Sequence, residues 1–366
     1  MNTQELLSPA TQPAGPVVLF PASQSLQAAA SLNVPAVSTG LPQLDDATSP
    51  PAEGNEPQVS RGISQGQVTE VFGPPGVGKT ALALNIATNA LQAGGKVVWI
   101  DTGSPLPPLH LRHLLQRSIQ DSKSSQTVDE LVGKLTHIRA QSLPHLLALL
   151  LHPPSSFPPE GCKLLVIDSA SGPFPSYFPN PTELKARLAQ SKTVDKTQLH
   201  WLMNRSSNVT SDLANQLLKL ATTHQMAVLA INQTRTRIRG QPRATLCPVL
   251  SGGVWESSIS TRLVLYRDFS ATETFDSIRF AEVMKRSGRI LPLRLEENIV
   301  PFVIEPEGLR ALENHSSPHM AALGPGDVQG LDVQRKRKVD EIADSEDDDS
   351  DAEYGWVDDD GGLLEK

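Results

Sequence analysis

Cysteine is almost absent from this 366-residue chain; Cys162 and Cys247 are the only two. Two thiols cannot staple a scaffold of this length, and so low a count fits a reducing compartment. Aromatic residues make up only 4% of the chain, while proline reaches 30 residues. A chain so poor in large apolar groups and so rich in proline is not expected to fold from end to end. No window approaches the ~18 consecutive apolar residues that span a bilayer, so no membrane partner is expected. No basic flank precedes an apolar run near the first residues, so no secretory signal is read there. Positive charge is also short, with a formal net charge of −8. That deficit is local. Residues 339–366 hold thirteen acidic residues and one lysine, which leaves residues 1–338 at +4. A mildly basic body permits a nucleic-acid partner.

The length suits two average domains or one large α/β domain with tails. Residues 1–37 are rich in Ala, Pro, Ser and Gln and read as disordered, with a short helix around 25–32. A core is expected over 38–312, interrupted by a low-complexity insert at 46–60 (DATSPPAEGNEPQVS). Strands are expected at Gln67–Phe72, Lys96–Asp101, Thr136–Arg139, Lys163–Asp168 and Ala227–Asn232. Helices are expected at Ala81–Leu91, Leu109–Ile119, Pro144–His152 and Thr197–His224. KLLVID and AVLAIN are almost wholly apolar, the mark of strands covered on both faces. The alternation predicts an α/β fold with a mostly parallel sheet. Thr261–Arg267, Ile278–Lys285 and Pro301–Glu305 have no helices between them and are expected to form an antiparallel edge. Residues 171–196 carry no clear pattern.

Gly73, Pro74, Pro75, Gly76, Val77, Gly78, Lys79 and Thr80 fit the pattern G-x-x-x-x-G-K-[ST]. Glycines let the backbone wrap a polyphosphate and aim its N–H groups inward. The helix that follows presents its positive end. Lys79 is expected to reach the β- and γ-phosphates of ATP, and the Thr80 hydroxyl to ligate Mg2+. A strand enters the loop and a helix leaves it, which separates this match from a chance Gly/Pro turn. Asp168 ends a buried strand, where a carboxylate can hold the Mg2+ shell, directly or through water. Its plainer role is to cap the next turn.

After AVLAIN comes Gln233, then four arginines, Arg235, Arg237, Arg239 and Arg243. Gly240, Pro242 and Pro248 are expected to keep this stretch irregular. An Arg-rich loop at the strand ends of a nucleotide site suits a phosphate backbone, although a solvated surface loop has the same composition. No aromatic residue interleaves with the arginines, so base stacking is not indicated there.

The ordered set STGLPQLD (38–45), RGISQGQVTEVFGPPGVGKT (61–80), VVWIDT (97–102), LLVIDSAS (164–171), AVLAINQT (227–234) and SGGVWESSISTRLVLYR (251–267) resembles the RecA-like recombinases. It looks most like their eukaryotic paralogues. GPPGVGKT with WIDTGSPLPPLHLR (99–112) resembles the fungal type that forms half of a heterodimeric recombination mediator. The resemblance covers roughly residues 38–312. It implies a RecA-type ATPase core that binds ATP and Mg2+ through Lys79, Thr80 and Asp168. It also implies that Gln233 senses the γ-phosphate and relays it to a DNA-binding loop over 234–249, which strengthens a DNA role for the four arginines. Two departures from the family pattern stand out. Active recombinases carry Glu directly after the Asp-Thr of the second strand, and here Asp101-Thr102 is followed by Gly103. Glycine cannot orient an attacking water, so binding without brisk turnover is expected. Residues 1–37 are also too short and polar for the N-terminal DNA-binding lobe of those enzymes.

Gln334–Lys338 (QRKRK) reads as a nuclear localisation signal, and the acidic stretch beyond it as a disordered tail, so 313–366 is expected to be a tail as a whole. Ser345 and Ser350 lie among carboxylates and suit acid-directed phosphorylation. The expected function is a nuclear ATP-binding DNA repair protein of homologous recombination. Its expected partners are single-stranded DNA, a second paralogue in a heterodimer, and the main recombinase. The alternatives are an active DNA-dependent ATPase that exchanges strands, a P-loop kinase or hydrolase without a DNA role, and a scaffold with a vestigial site.

Overall fold

The computed structural model describes residues 35–49, 61–103, 105–122, 125–178, 196–237, 245–267, 278–292 and 295–312. The expected helix around 25–32, the basic cluster 334–338 and the acidic tail lie outside these residues, as do Arg239 and Arg243.

In chain order the elements are β1 (Ala36–Val37), α1 (Pro42–Thr48), β2 (Ile63–Ser64), β3 (Val68–Phe72), α2 (Lys79–Gln92) and β4 (Lys96–Asp101). Next come α3 (Pro108–Ser122), α4 (Val128–Val132), β5 (Leu135–Arg139), α5 (Leu143–Leu151), β6 (Cys162–Asp168), α6 (Phe174–Tyr177) and α7 (Lys196–His224). The last part holds β7 (Ala227–Asn232), β8 (Thr234–Arg237), β9 (Thr245–Pro248), α8 (Gly253–Ser258), β10 (Thr261–Tyr266), β11 (Arg279–Arg286), β12 (Arg289–Ile290), β13 (Ile299–Glu305) and β14 (Gly308–Ala311).

The main sheet runs β14-β13-β11-β10-β3-β7-β6-β4-β5, with β12 beside β11. Pairing is parallel from β10 through β3, β7, β6 and β4 to β5. It is antiparallel from β10 through β11 and β13 to β14. The expected α/β fold with a parallel centre and an antiparallel flank is what the chain adopts. All six residues of β7 and all five of β3 are buried, as strands covered on both faces must be. One face packs Val97, Trp99, Leu164, Val166 and Leu229 against α2 and α3. The other packs Val98, Ile100, Leu165 and Ile167 against α5 and α7.

Two expectations need correction. α1 continues through Thr48, so the first residues of the insert are helical, with Ala47 and Thr48 buried. Proline at the first helical turn is what starts it. The Arg-rich stretch is also not irregular at its base. β8 and β9 pair antiparallel from Thr234–Pro248 to Arg237–Thr245. Pro248 is tolerated because it sits at the end of a two-stranded ribbon, where a missing donor costs little.

STGLPQLD works as a latch. The Asp45 carboxylate accepts from Ser38 Oγ at 2.6 Å and from the Thr39 N–H at 2.7 Å. Asn85 and Asn89 of α2 donate to the carbonyls of Thr39 (2.7 Å) and Ser38 (3.0 Å). The segment therefore clamps the helix that opens with Lys79.

Candidate nucleotide site and the base of the arginine hairpin

β3 delivers the chain to Gly73, and α2 begins at Lys79, six residues later. The N-cap of α2 is Gly78, with a left-handed φ of +103°. A β-carbon there would lie 2.4 Å from Ile304 Cδ1, so the glycine serves both the turn and the close approach of β13. Val77 is buried and anchors the loop, while Pro75 and Gly76 are exposed.

Lys79 Nζ donates to the carbonyls of Gly73 (2.6 Å) and Pro74 (2.9 Å). Burial lowers its pKa to about 8, and the nearby Asp168 charge only partly opposes this. Thr80 Oγ1 donates to Asp168 Oδ2 at 2.7 Å across 88 positions of sequence. Strand order explains this contact, since only β7 separates β3 from β6. Burial raises the Asp168 pKa; the Thr80 bond and Lys79 lower it, and Asp101 raises it further. A part-buried ammonium, a hydroxyl and a part-buried carboxylate thus converge on a helix N-terminus. That donor set fits a polyphosphate and its divalent metal. Lys79 and the loop would hold the phosphates, and Thr80 with Asp168 the metal, whose chemistry is to neutralise phosphate charge.

Asp101 is fully buried at the end of β4. Its carboxylate takes a 2.5 Å hydrogen bond with His137 Nε2, and Arg139 Nε lies 3.6 Å away. It is therefore engaged by β5 and does not stand free to orient water. Gly103 is exposed, and a β-carbon there would meet nothing within 4 Å.

Gln233 follows β7 directly. Its backbone N–H donates to Ser171 Oγ at 2.8 Å, and Nε2 donates to Ser169 Oγ at 3.3 Å. Ser169 is the neighbour of Asp168. The Gln233 carbonyl accepts from the Val249 N–H at 2.8 Å, which closes the base of the β8–β9 hairpin. The structure thus brings Lys79, Thr80, Asp168 and Gln233 into one region. Arg235 is exposed on β8, and Arg237 ends that strand.

Glu70, Trp255 and Arg262 escaped the sequence reading as individual residues. Arg262 Nε donates to Glu70 Oε2 at 2.6 Å, and its guanidinium also pairs with Glu256. Glu70 Oε1 accepts from Trp255 Nε1 (2.9 Å) and Asn232 Nδ2 (2.6 Å). Asn232 also bonds both ways with the Leu250 backbone. The GGVWESSISTRL signature is thus a buried ionic core between β3 and β10 that pins the residue before Gln233.

A sequence profile of the Rad51 family matches residues 55–268, more than half of the chain. The chain belongs to the Rad51 family. The DNA repair protein rhp55 of Schizosaccharomyces pombe is 28% identical over 252 residues, which cover 59% of this chain and 72% of that protein. DNA repair protein RAD51 homolog 3 of Cricetulus griseus is 26% identical over 271 residues, covering 68% of this chain and 64% of its own length. Protein RecA of Deinococcus radiodurans is 39% identical over 89 residues, 24% of this chain and 22% of its own. Membership puts the chain among DNA repair and recombination proteins, in a family that binds ATP with Mg2+. No described helix is long and apolar enough to cross a membrane.

Proposed function

We propose that this Rad51-family protein is a nucleotide-gated paralogue that assists the main recombinase on single-stranded DNA, in the nucleus and paired with a second paralogue. Lys79, Thr80 and Asp168 hold ATP and Mg2+, and Gln233 passes the nucleotide state to the paired strands β8 and β9, whose stretch of sequence includes Arg235, Arg237, Arg239 and Arg243. The observation that carries this reading is the short path from site to hairpin. Thr80 bonds Asp168, Gln233 bonds the adjoining Ser169, and the Gln233 carbonyl closes the hairpin base. A phosphate that draws Gln233 away from Ser169 changes the hairpin's footing.

Turnover is slow in this reading, because Gly103 offers no base and Asp101 is held by His137. ATP then acts as a switch ligand. Such coupling is reciprocal, so DNA tightens ATP by the factor by which ATP tightens DNA. The test is ATP and single-stranded DNA affinity measured separately and together, with Lys79→Ala as control. Equal tightening in both directions, lost in Lys79→Ala, is expected. Independent binding of the two ligands, or rapid DNA-stimulated phosphate release, overturns it.

A further inference from the structure

Arg267 and Arg279 were only parts of expected strands in the sequence, yet both lie against the phosphate loop. β10 pairs Val264 with Phe72, the last residue of β3, so residues 265–267 run beside the loop that starts at Gly73. Arg267 is the first residue past β10, and its Nη2 donates to the Gly76 carbonyl at 2.6 Å. Its Nε is buried and has no hydrogen-bond partner among the described residues. Arg279 opens β11, one step beyond the Tyr266–Phe280 pair, whose rings stack at 5.5 Å. A β-carbon at Gly78 would lie 3.4 Å from Arg279 Cδ and 3.6 Å from its Nε. Burial, and then the Arg267 charge, lower the pKa of Arg279, so the two guanidiniums feel one another. An anion that lies against both guanidiniums is attracted by each.

We infer that Arg267, supplied from the chain's own antiparallel flank, is a phosphate-contacting residue for the terminal phosphate of the bound nucleoside triphosphate, with Arg279 as its neighbouring support. This rests on the proposed nucleotide site and deepens it. The terminal phosphate is the target because Arg267 and Lys79 rest on carbonyls of the same loop. Lys79 Nζ sits on the carbonyls of Gly73 and Pro74, and Arg267 on that of Gly76. A lysine in this motif reaches the β- and γ-phosphates. Both cations rest on loop carbonyls, and both have an anion within reach once a triphosphate enters. A planar guanidinium then forms charge-assisted, forked bonds that an ammonium cannot.

The experiment is calorimetric titration of the full chain and of Arg267→Ala, Arg267→Lys and Arg267→Gln with ATP and with ADP, in Mg2+. Thermal melts check each fold. Arg267→Ala is expected to weaken ATP about ten- to a hundredfold, the loss of a charged hydrogen bond, and ADP less than threefold. Arg267→Lys is expected to recover only part of the loss. If Arg267→Ala does not melt like the parent, Arg267→Gln takes its place with the same expectation. Unchanged ATP affinity in a folded variant overturns the inference alone, and so does an equal loss for ATP and ADP. A parent chain that binds neither nucleotide overturns the nucleotide site itself.

Discussion

Arg262→Met tests whether the signature after the hairpin is a structural core. Arg262 is 1% exposed and lies between two carboxylates, Glu70 at 0% and Glu256 at 8%. Methionine keeps the apolar stem and leaves out the guanidinium, so a cation is withdrawn from a buried pair. Removing one partner of a buried ion pair costs about 3–5 kcal/mol, because the other charge stays behind uncompensated. Against a total stability of about 5–15 kcal/mol, that is a large fraction. At a urea slope of about 2–3 kcal/mol per molar, the midpoint falls by roughly 1–2.5 M. Glu70→Gln keeps one oxygen acceptor for Trp255 and Asn232 but removes the charge and turns an amide N–H toward Arg262, which stays paired with Glu256, so its expected loss is about 1.5–3 kcal/mol. The double variant should lose less than the sum of the singles, since both act in one network. The assay is urea unfolding followed by tryptophan fluorescence and far-ultraviolet circular dichroism. A loss below about 1 kcal/mol in folded Arg262→Met, or strict additivity in the double variant, refutes a buried network that holds β3, β10 and Asn232 together.

Three further outcomes follow from single observations. Lys79 sits at a pKa of about 8 in the free protein. Triphosphate binding needs it charged, so ATP affinity should fall about tenfold from pH 7 to pH 9, and Lys79→Arg, which stays charged, should be flat. The open space at Gly103 accepts a longer side chain, so Gly103→Glu should fold normally and raise steady-state phosphate release by about 10²–10⁴-fold. No increase would show that the site lacks more than one base. Gly40 has φ +81°, and a β-carbon would come within 2.1 Å of Asn85 Nδ2, so Gly40→Ala should cost more than ~1 kcal/mol and lower the melting temperature by several degrees.

The phosphate loop was legible because its chemistry is contiguous: eight adjacent residues carry the glycines, the ammonium and the hydroxyl. β6 and β7 were legible because strands covered on both faces must be apolar throughout. Asp168 could be named from its position at a strand end. Its bond to Thr80 could not, since that contact exists only because β7 alone lies between β3 and β6. Order in a parallel sheet is a long-range property, set by crossovers that no local pattern encodes. The β8–β9 ribbon escaped for a related reason. Its pairing holds two polar segments together at the base of an Arg-rich stretch, and proline and glycine there read locally as irregular.

Local chemistry therefore determined the α/β class and the glycine-rich loop with Lys79 and Thr80, whereas Gly103 and the STGLPQLD segment stood out only through the family resemblance. The Glu70–Arg262–Glu256 core, the engagement of Asp101 by His137, and the approach of Arg267 and Arg279 to the loop were decided only by tertiary structure. Each joins charges from strands far apart in sequence. An isolated Glu, Arg or His has a solvated surface as its default, and only the packing of neighbouring strands withdraws the water that makes such a pairing matter.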